Sequence, residues 1–156
     1  MGKEGIKREH KGTEGDPQLK AKIRSQQQAM ARNRMMSQVP DADVIVTNPT
    51  HYAVALRYDE SHMGAPRVIA KGADEVAARI RELGGEHSVP LLEAPPLARA
   101  LYRHVDIDRE IPGPLYTAVA EVLVWAFRLK RARQEGGERP DTPADLPIPA
   151  ELEVAP

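Results

Sequence analysis

The chain has 156 residues, 41% of them hydrophobic, 29% charged and only 4% aromatic, enough for one domain whose core must be built from Val, Ile, Leu and Ala. It contains no Cys, which excludes disulfide frameworks, thiol nucleophiles and Cys-ligated zinc or iron–sulfur centres. The net charge of -1 conceals an uneven layout: residues 1–38 carry 9 Lys or Arg against 4 Asp or Glu, residues 39–133 carry 12 against 13, and residues 134–156 carry 1 against 6. The expected organisation is therefore a basic linker and helix over 1–38, a balanced compact domain over 39–133 and an acidic tail over 134–156. No apolar run approaches the roughly 18 residues of a membrane span. No apolar segment follows the basic N-terminus as it would in a secretory signal. As given, the chain reads as a soluble, intracellular domain.

Residues 1–15 are charged and Gly-containing, and are expected to be mobile. Asp16 and Pro17 form a helix start, with Asp16 as N-cap and Pro17 at the first helical position. Gln18–Ser37 has no Gly or Pro and predicts a helix. Its apolar points, Leu19, Ile23, Met30, Met35 and Met36, are too sparse for a buried stripe. The helix reads as a solvated linker, with contact to nucleic acid or an anionic bilayer as the alternative use of its basic face. Pro40 ends it.

Asp43–Thr47, with Val-Ile-Val at its centre, predicts a buried strand. Asn48-Pro49-Thr50 interrupts it, and Tyr52–Tyr58 resumes as a second strand. Asp59–Pro66 is a loop and Arg67–Ala70 a third strand, closed by Lys71-Gly72. Val76, Ala77, Ile80 and Leu83 have helical spacing over 73–83, and Gly84-Gly85 supplies a stop. Ser88–Leu92 is a fourth strand. Pro95-Pro96 leads into a helix over Leu97–Arg103. After Pro112-Gly113-Pro114, a last helix runs from Leu115 to about Arg131, with Leu115, Val119, Val122, Ala126 and Leu129 on one stripe. Trp125 and Phe127 fall on different faces, one for the core and the other free for a partner. The expected fold is α/β, a small mixed sheet of about four strands covered by helices and preceded by the linker helix. From Gln134 onward the acidic, Pro-rich composition predicts disorder.

There is no phosphate-binding loop, no dinucleotide fingerprint and no HExxH. The five His, at 10, 51, 62, 87 and 104, are scattered, so neither a metal nor a cofactor is expected. The basic arm lacks the interleaved aromatics of a nucleic-acid surface, and no nucleic-acid partner is expected. Leu97, Ala98 and Leu101 are read as core, with a docking patch as the alternative.

Asn48-Pro49-Thr50-His51 carries chemistry. Pro49 has no N–H, which blocks attack of the following backbone nitrogen on the Asn48 side chain. The reverse attack stays open: the side-chain nitrogen of Asn48 adds to its own carbonyl carbon, closes a succinimide and expels Pro49 as a new N-terminus. Pro49 pushes Asn48 towards extended backbone, and a tight turn between anchored strands supplies proximity and strain. Thr50 can hold the turn by a hydrogen bond. Histidine ordinarily changes charge between pH 5 and 8, so His51 could carry a proton. An ordinary Asn-Pro turn is the competing reading.

The segment VIVTNPTHYAVALRYD at 44–59 resembles the signature of the FlhB/SctU family of type III export-apparatus proteins. MGAPRVIAKGADEVAARIREL at 63–83, VPLLEAPPLARALY at 89–102 and EIPGPLYTAVAEVLVWAFRL at 110–129 are similar to the same family. EHKGTEGDPQLKAKIRSQQQAMARNRMM at 9–36 resembles its linker helix. Tyr52 after His51 favours the flagellar branch. The resemblance implies a cytoplasmic domain that cleaves itself between Asn48 and Pro49, with Thr50 and His51 in support, and whose pieces stay associated. It further implies a role in switching export from early to late substrates. The implied partners are the export gate, a hook-length control protein, and export substrates or their chaperones. A membrane-embedded N-terminal half would anchor the parent protein at the cytoplasmic face of the inner membrane, leaving this part soluble. A non-enzymatic docking module of the same machinery is the alternative. The acidic tail carries no resemblance.

Overall fold

The structure, a computed structural model, describes residues 16–156; the N-terminal stretch expected to be mobile lies outside them. The chain divides into two compact units, 1–35 and 36–156. The first unit is carried by helix α1, Pro17–Gln38. The Gln18 backbone N–H donates to Asp16 Oδ1 at 3.0 Å, so Asp16 is the N-cap that its sequence position calls for. Leu19, Ile23 and Met30 stay exposed, as a helix without an apolar stripe requires.

The second unit is an open five-stranded sheet in the order β4-β1-β2-β3-β5. Its strands are β1 (Val44–Asn48), β2 (Tyr52–Arg57), β3 (Arg67–Ala73), β4 (Leu91–Glu93) and β5 (Arg109–Glu110). β1–β2, β2–β3 and β3–β5 are antiparallel, and β1–β4 is parallel. The mixed sheet is the one expected, with a fifth strand added. That strand is two exposed residues long, and its Arg-Glu pair offers no apolar pattern to read.

Helices cover both faces: α2 (Asp74–Glu86) packs on β2 and β3, α3 (Pro95–His104) on β1 and β2 from the other side, and α4 is Tyr116–Glu135. Val44, Val46, Val54, Leu56 and Val68 join Leu97, Leu101, Val119 and Val122 of α3 and α4 in one cluster. Coverage on both faces explains why Ala53, Val54, Ala55 and Leu56 are all fully buried. Leu97, Ala98 and Leu101 are core. Trp125 is buried and Phe127 is 44% exposed.

Several boundaries move: β4 is Leu91–Glu93 rather than Ser88–Leu92, and α4 runs to Glu135 rather than about Arg131. β3 runs on through Lys71 and Gly72 rather than closing there. α2 runs through Gly84 and Gly85 rather than stopping. A Cβ on Gly84 would lie 2.3 Å from Ile45 Cδ1, so this glycine permits a close helix–sheet approach instead of ending the helix.

Of residues 134–156, whose composition predicts disorder, Gln134 and Glu135 close α4 and the rest extend without strands. A 3-10 turn at Ala150–Leu152 interrupts them, and Leu146, Ile148 and Leu152 pack against the main cluster. Spaced apolar residues provide contacts, and the prolines between them lower the entropy lost on ordering.

Candidate functional site at the β1–β2 turn

β1 ends at Asn48 and β2 begins at Tyr52, directly paired with it. The three residues between, Pro49, Thr50 and His51, are all exposed, and Asn48 is half-buried. The His51 N–H donates to the Asn48 carbonyl oxygen at 2.9 Å, closing a four-residue turn. Thr50 sits at its third position with φ of 69°. Pro at the second position and positive φ at the third is type II geometry, which favours Gly or Asn at the third. A β-branched residue there is strained, at a cost of roughly 1–2 kcal/mol.

Backbone groups brace this turn on both sides. The Asp74 N–H, at the start of α2, donates to the His51 carbonyl at 3.0 Å, and the Ala94 N–H, ahead of α3, donates to the Thr47 carbonyl at 2.9 Å. Thr47 is buried, and its hydroxyl reaches the Leu92 carbonyl at 3.4 Å. Asp74 itself takes a φ of 50°.

Pairing also sets which face the site residues share. Directly opposed residues point the same way. Val46, Val54 and Lys71 form one such row, and Asn48, Tyr52 and Ala73 the next on the same face. α3 lies on this face. The Tyr52 ring stacks on Tyr102 of α3, centroids 4.3 Å apart. Lys71 Nζ donates to the Tyr102 carbonyl at 2.9 Å and the Val105 carbonyl at 2.8 Å, and lies 5.3 Å from the Tyr102 ring centroid. One lysine thus caps the C-terminus of α3, where the helix dipole favours a cation, and supports the ring on which Tyr52 rests.

The four motif residues come together as their adjacency demands, and the geometry adds Tyr52, Lys71, Asp74, Ala94 and Tyr102. In sequence, Lys71-Gly72 reads as a strand end. Its one signal is a lysine directly after the apolar Ile69-Ala70, on the same face as Tyr52 once β2 and β3 are paired.

Two carboxylates elsewhere have displaced pKa values. Burial holds Asp43 above its ordinary value, opposed by the Tyr58 N–H that donates to its Oδ2 at 2.7 Å. Asp59 is held below its ordinary value by His62, whose Nδ1 lies 2.9 Å from Asp59 Oδ2, and by the Ser61 N–H.

A family described as FlhB HrpN YscU SpaS matches residues 1–126. The chain belongs to the FlhB HrpN YscU SpaS family. Its cytoplasmic domains are autocleaving switches of the type III export apparatus. The chain is 61% identical to the flagellar biosynthetic protein FlhB of Salmonella typhimurium over 153 residues, 98% of this chain and 40% of that protein. It thus spans well under half the length of such relatives. The crystal structure of the cytoplasmic domain of FlhB from Shewanella putrefaciens matches with a TM-score of 0.74 at 48% identity, covering 79% of this chain and 95% of that one. An EscU C-terminal domain carrying an Asn-to-Asp mutation matches with a TM-score of 0.57 at 32% identity, covering 59% and 98%. Within the FlhB family this chain is the cytoplasmic domain, of the flagellar kind. No described helix is long and apolar enough to cross a membrane.

Proposed function

We propose that this domain cuts its own chain once, between Asn48 and Pro49, and that the cut resets which substrates the flagellar exporter accepts. The observation that carries the reading is the hydrogen bond from the His51 N–H to the Asn48 carbonyl oxygen at 2.9 Å. That oxygen gains negative charge when the Asn48 side-chain nitrogen adds to the carbonyl carbon, and a donor already aimed at it stabilises the adduct. The C–N bond to Pro49 then breaks. Asn48 keeps a succinimide, and the Pro49 nitrogen takes up a proton as the new N-terminus. Strain at Thr50 is relieved as the turn opens.

Thr50 and His51 support this step. The backbone N–H of His51 serves the oxyanion, and to the His51 ring we assign the transfer of a proton from the attacking amide. Residues 1–38 act as a basic linker and N-terminal helix, 39–133 as the self-cleaving unit and 134–156 as an acidic, Pro-rich tail. In the whole protein, an N-terminal half anchors the domain at the inner membrane. There the surface around Pro49–Tyr52 meets the export gate, the hook-length control protein, and substrates or their chaperones.

Denaturing intact-mass analysis of fresh protein beside Asn48→Ala tests the chemistry. The parent is expected to give pieces of roughly 5 and 12 kDa, sharing 17.2 kDa by chain length, and the variant a single mass. A parent that stays whole on prolonged native incubation would overturn the reading.

A further inference from the structure

The outer side of α3 is bridged by the chain's own tail. Arg99 Nε donates to the Val154 carbonyl at 3.0 Å, and His104 Nε2 meets the Leu152 carbonyl at 3.1 Å. A carbonyl only accepts, so the histidine nitrogen carries the proton in this contact. Leu146, Ile148 and Leu152 pack against the main core cluster. Between the tail and the β4–α3 corner lies a cleft of about 980 Å³, walled by Glu93, Ala94 and Pro96 on the domain and by Pro143, Ile148 and Pro156 on the tail.

Three features separate this contact from ordinary core packing. Both hydrogen bonds go to tail carbonyls, so they read backbone and leave the choice of side chain to the apolar positions. The apolar residues of the tail are half-buried rather than enclosed, and no strand ladder ties the tail to the sheet. The tail also carries 6 acidic residues against 1 basic over 134–156 and lies over a helix whose last turn is Arg103 and His104.

We propose that α3 presents a docking groove for an acidic, Pro-containing peptide with three spaced apolar side chains, and that residues 146–154 fill it in cis until a partner segment of the same chemistry displaces them. Tethering favours the tail, because a short flexible linker gives an effective concentration of the order of mM. A competing segment therefore wins only when it is held nearby itself, as one delivered by a docked partner would be. Ala94 walls the cleft and also braces the β1–β2 turn, so occupancy is read in protein that is not cut.

The test uses the full chain with Asn48→Ala, so that one species is observed. The chain has no Cys, and Arg103→Cys places a single nitroxide on the exposed side of α3. Paramagnetic broadening of the backbone amides of residues 146, 148 and 150–155 is expected in this protein and its loss in the same protein with Leu146→Ser, Ile148→Ser and Leu152→Ser. A synthetic peptide of residues 141–156 is then titrated into both proteins without the label. It is expected to bind the triple variant at least tenfold more tightly than the parent, with shifts confined to α3 and β4. Arg99→Glu, placed on the groove, is expected to abolish both the broadening and the peptide binding while the melting curve stays cooperative. Absence of broadening in the parent, its survival in the triple variant, equal peptide affinity for both proteins, or peptide shifts mapping to another face would each overturn the proposal.

Discussion

Thr50 holds a conformation that its β-branched side chain disfavours, and the next residue's N–H points at the Asn48 carbonyl. Replacing Thr50 by Gly removes the steric penalty, roughly 1–2 kcal/mol. If the strain is released in the transition state, Thr50→Gly slows cleavage about 5- to 30-fold, read as the half-time for loss of the intact mass. Faster cleavage in that variant would show that strain contributes nothing. At Asp43 the prediction concerns pH. Its carboxyl binds a proton more tightly folded than unfolded, so its contribution to stability falls as pH rises above the ordinary value of 3.8. Asp43→Asn keeps an acceptor for the Tyr58 N–H and removes that fall. The melting temperature of Asp43→Asn relative to the parent is therefore expected to be higher at pH 7 than at pH 3.5, and an unchanged difference would exclude the burial penalty.

At the scale of elements, two contacts decide how helices meet the sheet. Lys71 reaches across from β3 to the last carbonyls of α3. Lys71→Met keeps the stem and removes the donors, leaving helix-end carbonyls unpaired. A loss of about 2–4 kcal/mol is expected in urea unfolding of Asn48→Ala protein, together with a weakened Tyr52–Tyr102 stack. Gly84 lets α2 settle on Ile45. Gly84→Ala is expected to destabilise by about 1–3 kcal/mol through overpacking. Ile45→Val removes the clashing Cδ1, so the double variant should recover part of that loss, a coupling read from a double-mutant cycle. Additive effects would mean that α2 shifts freely.

At the scale of the whole molecule, cleavage severs the turn but not the sheet. β1 lies between β2 and β4, with Val44, Ile45 and Val46 fully buried, so the piece ending at Asn48 stays held by ladder and core. The two pieces are expected to co-elute under native conditions and separate only in denaturant. Their unfolding midpoint should become dependent on protein concentration, as for any two-chain complex. Spontaneous separation on a native column would contradict this.

Much of this fold is legible in the residues. Val-Ile-Val at 44–46, the stripe from Leu115 to Leu129 and the Asp16-Pro17 start are local patterns, and local patterns follow from backbone propensity and periodicity alone. The Asn48–His51 motif is legible for the same reason: adjacency fixes which amide can reach which carbonyl. Other features depend on elements far apart in the chain. The roles of Lys71 and Tyr102 arise because pairing of β2 with β3 brings residues 52 and 71 to the face that α3 covers. Gly84 looks like a helix stop until Ile45, 39 positions earlier, is seen beneath it. β5 has no apolar signature and exists because β3 offers an edge to pair with. The tail looks disordered by composition, and its three apolar residues gain a packing partner only when α3 and the core are assembled. The sequence by itself determines the elements and the reactive dipeptide, since both rest on short-range sterics and covalent geometry. The tertiary structure decides what braces the turn and where the tail lies, since both rest on contacts that exist only after distant segments meet.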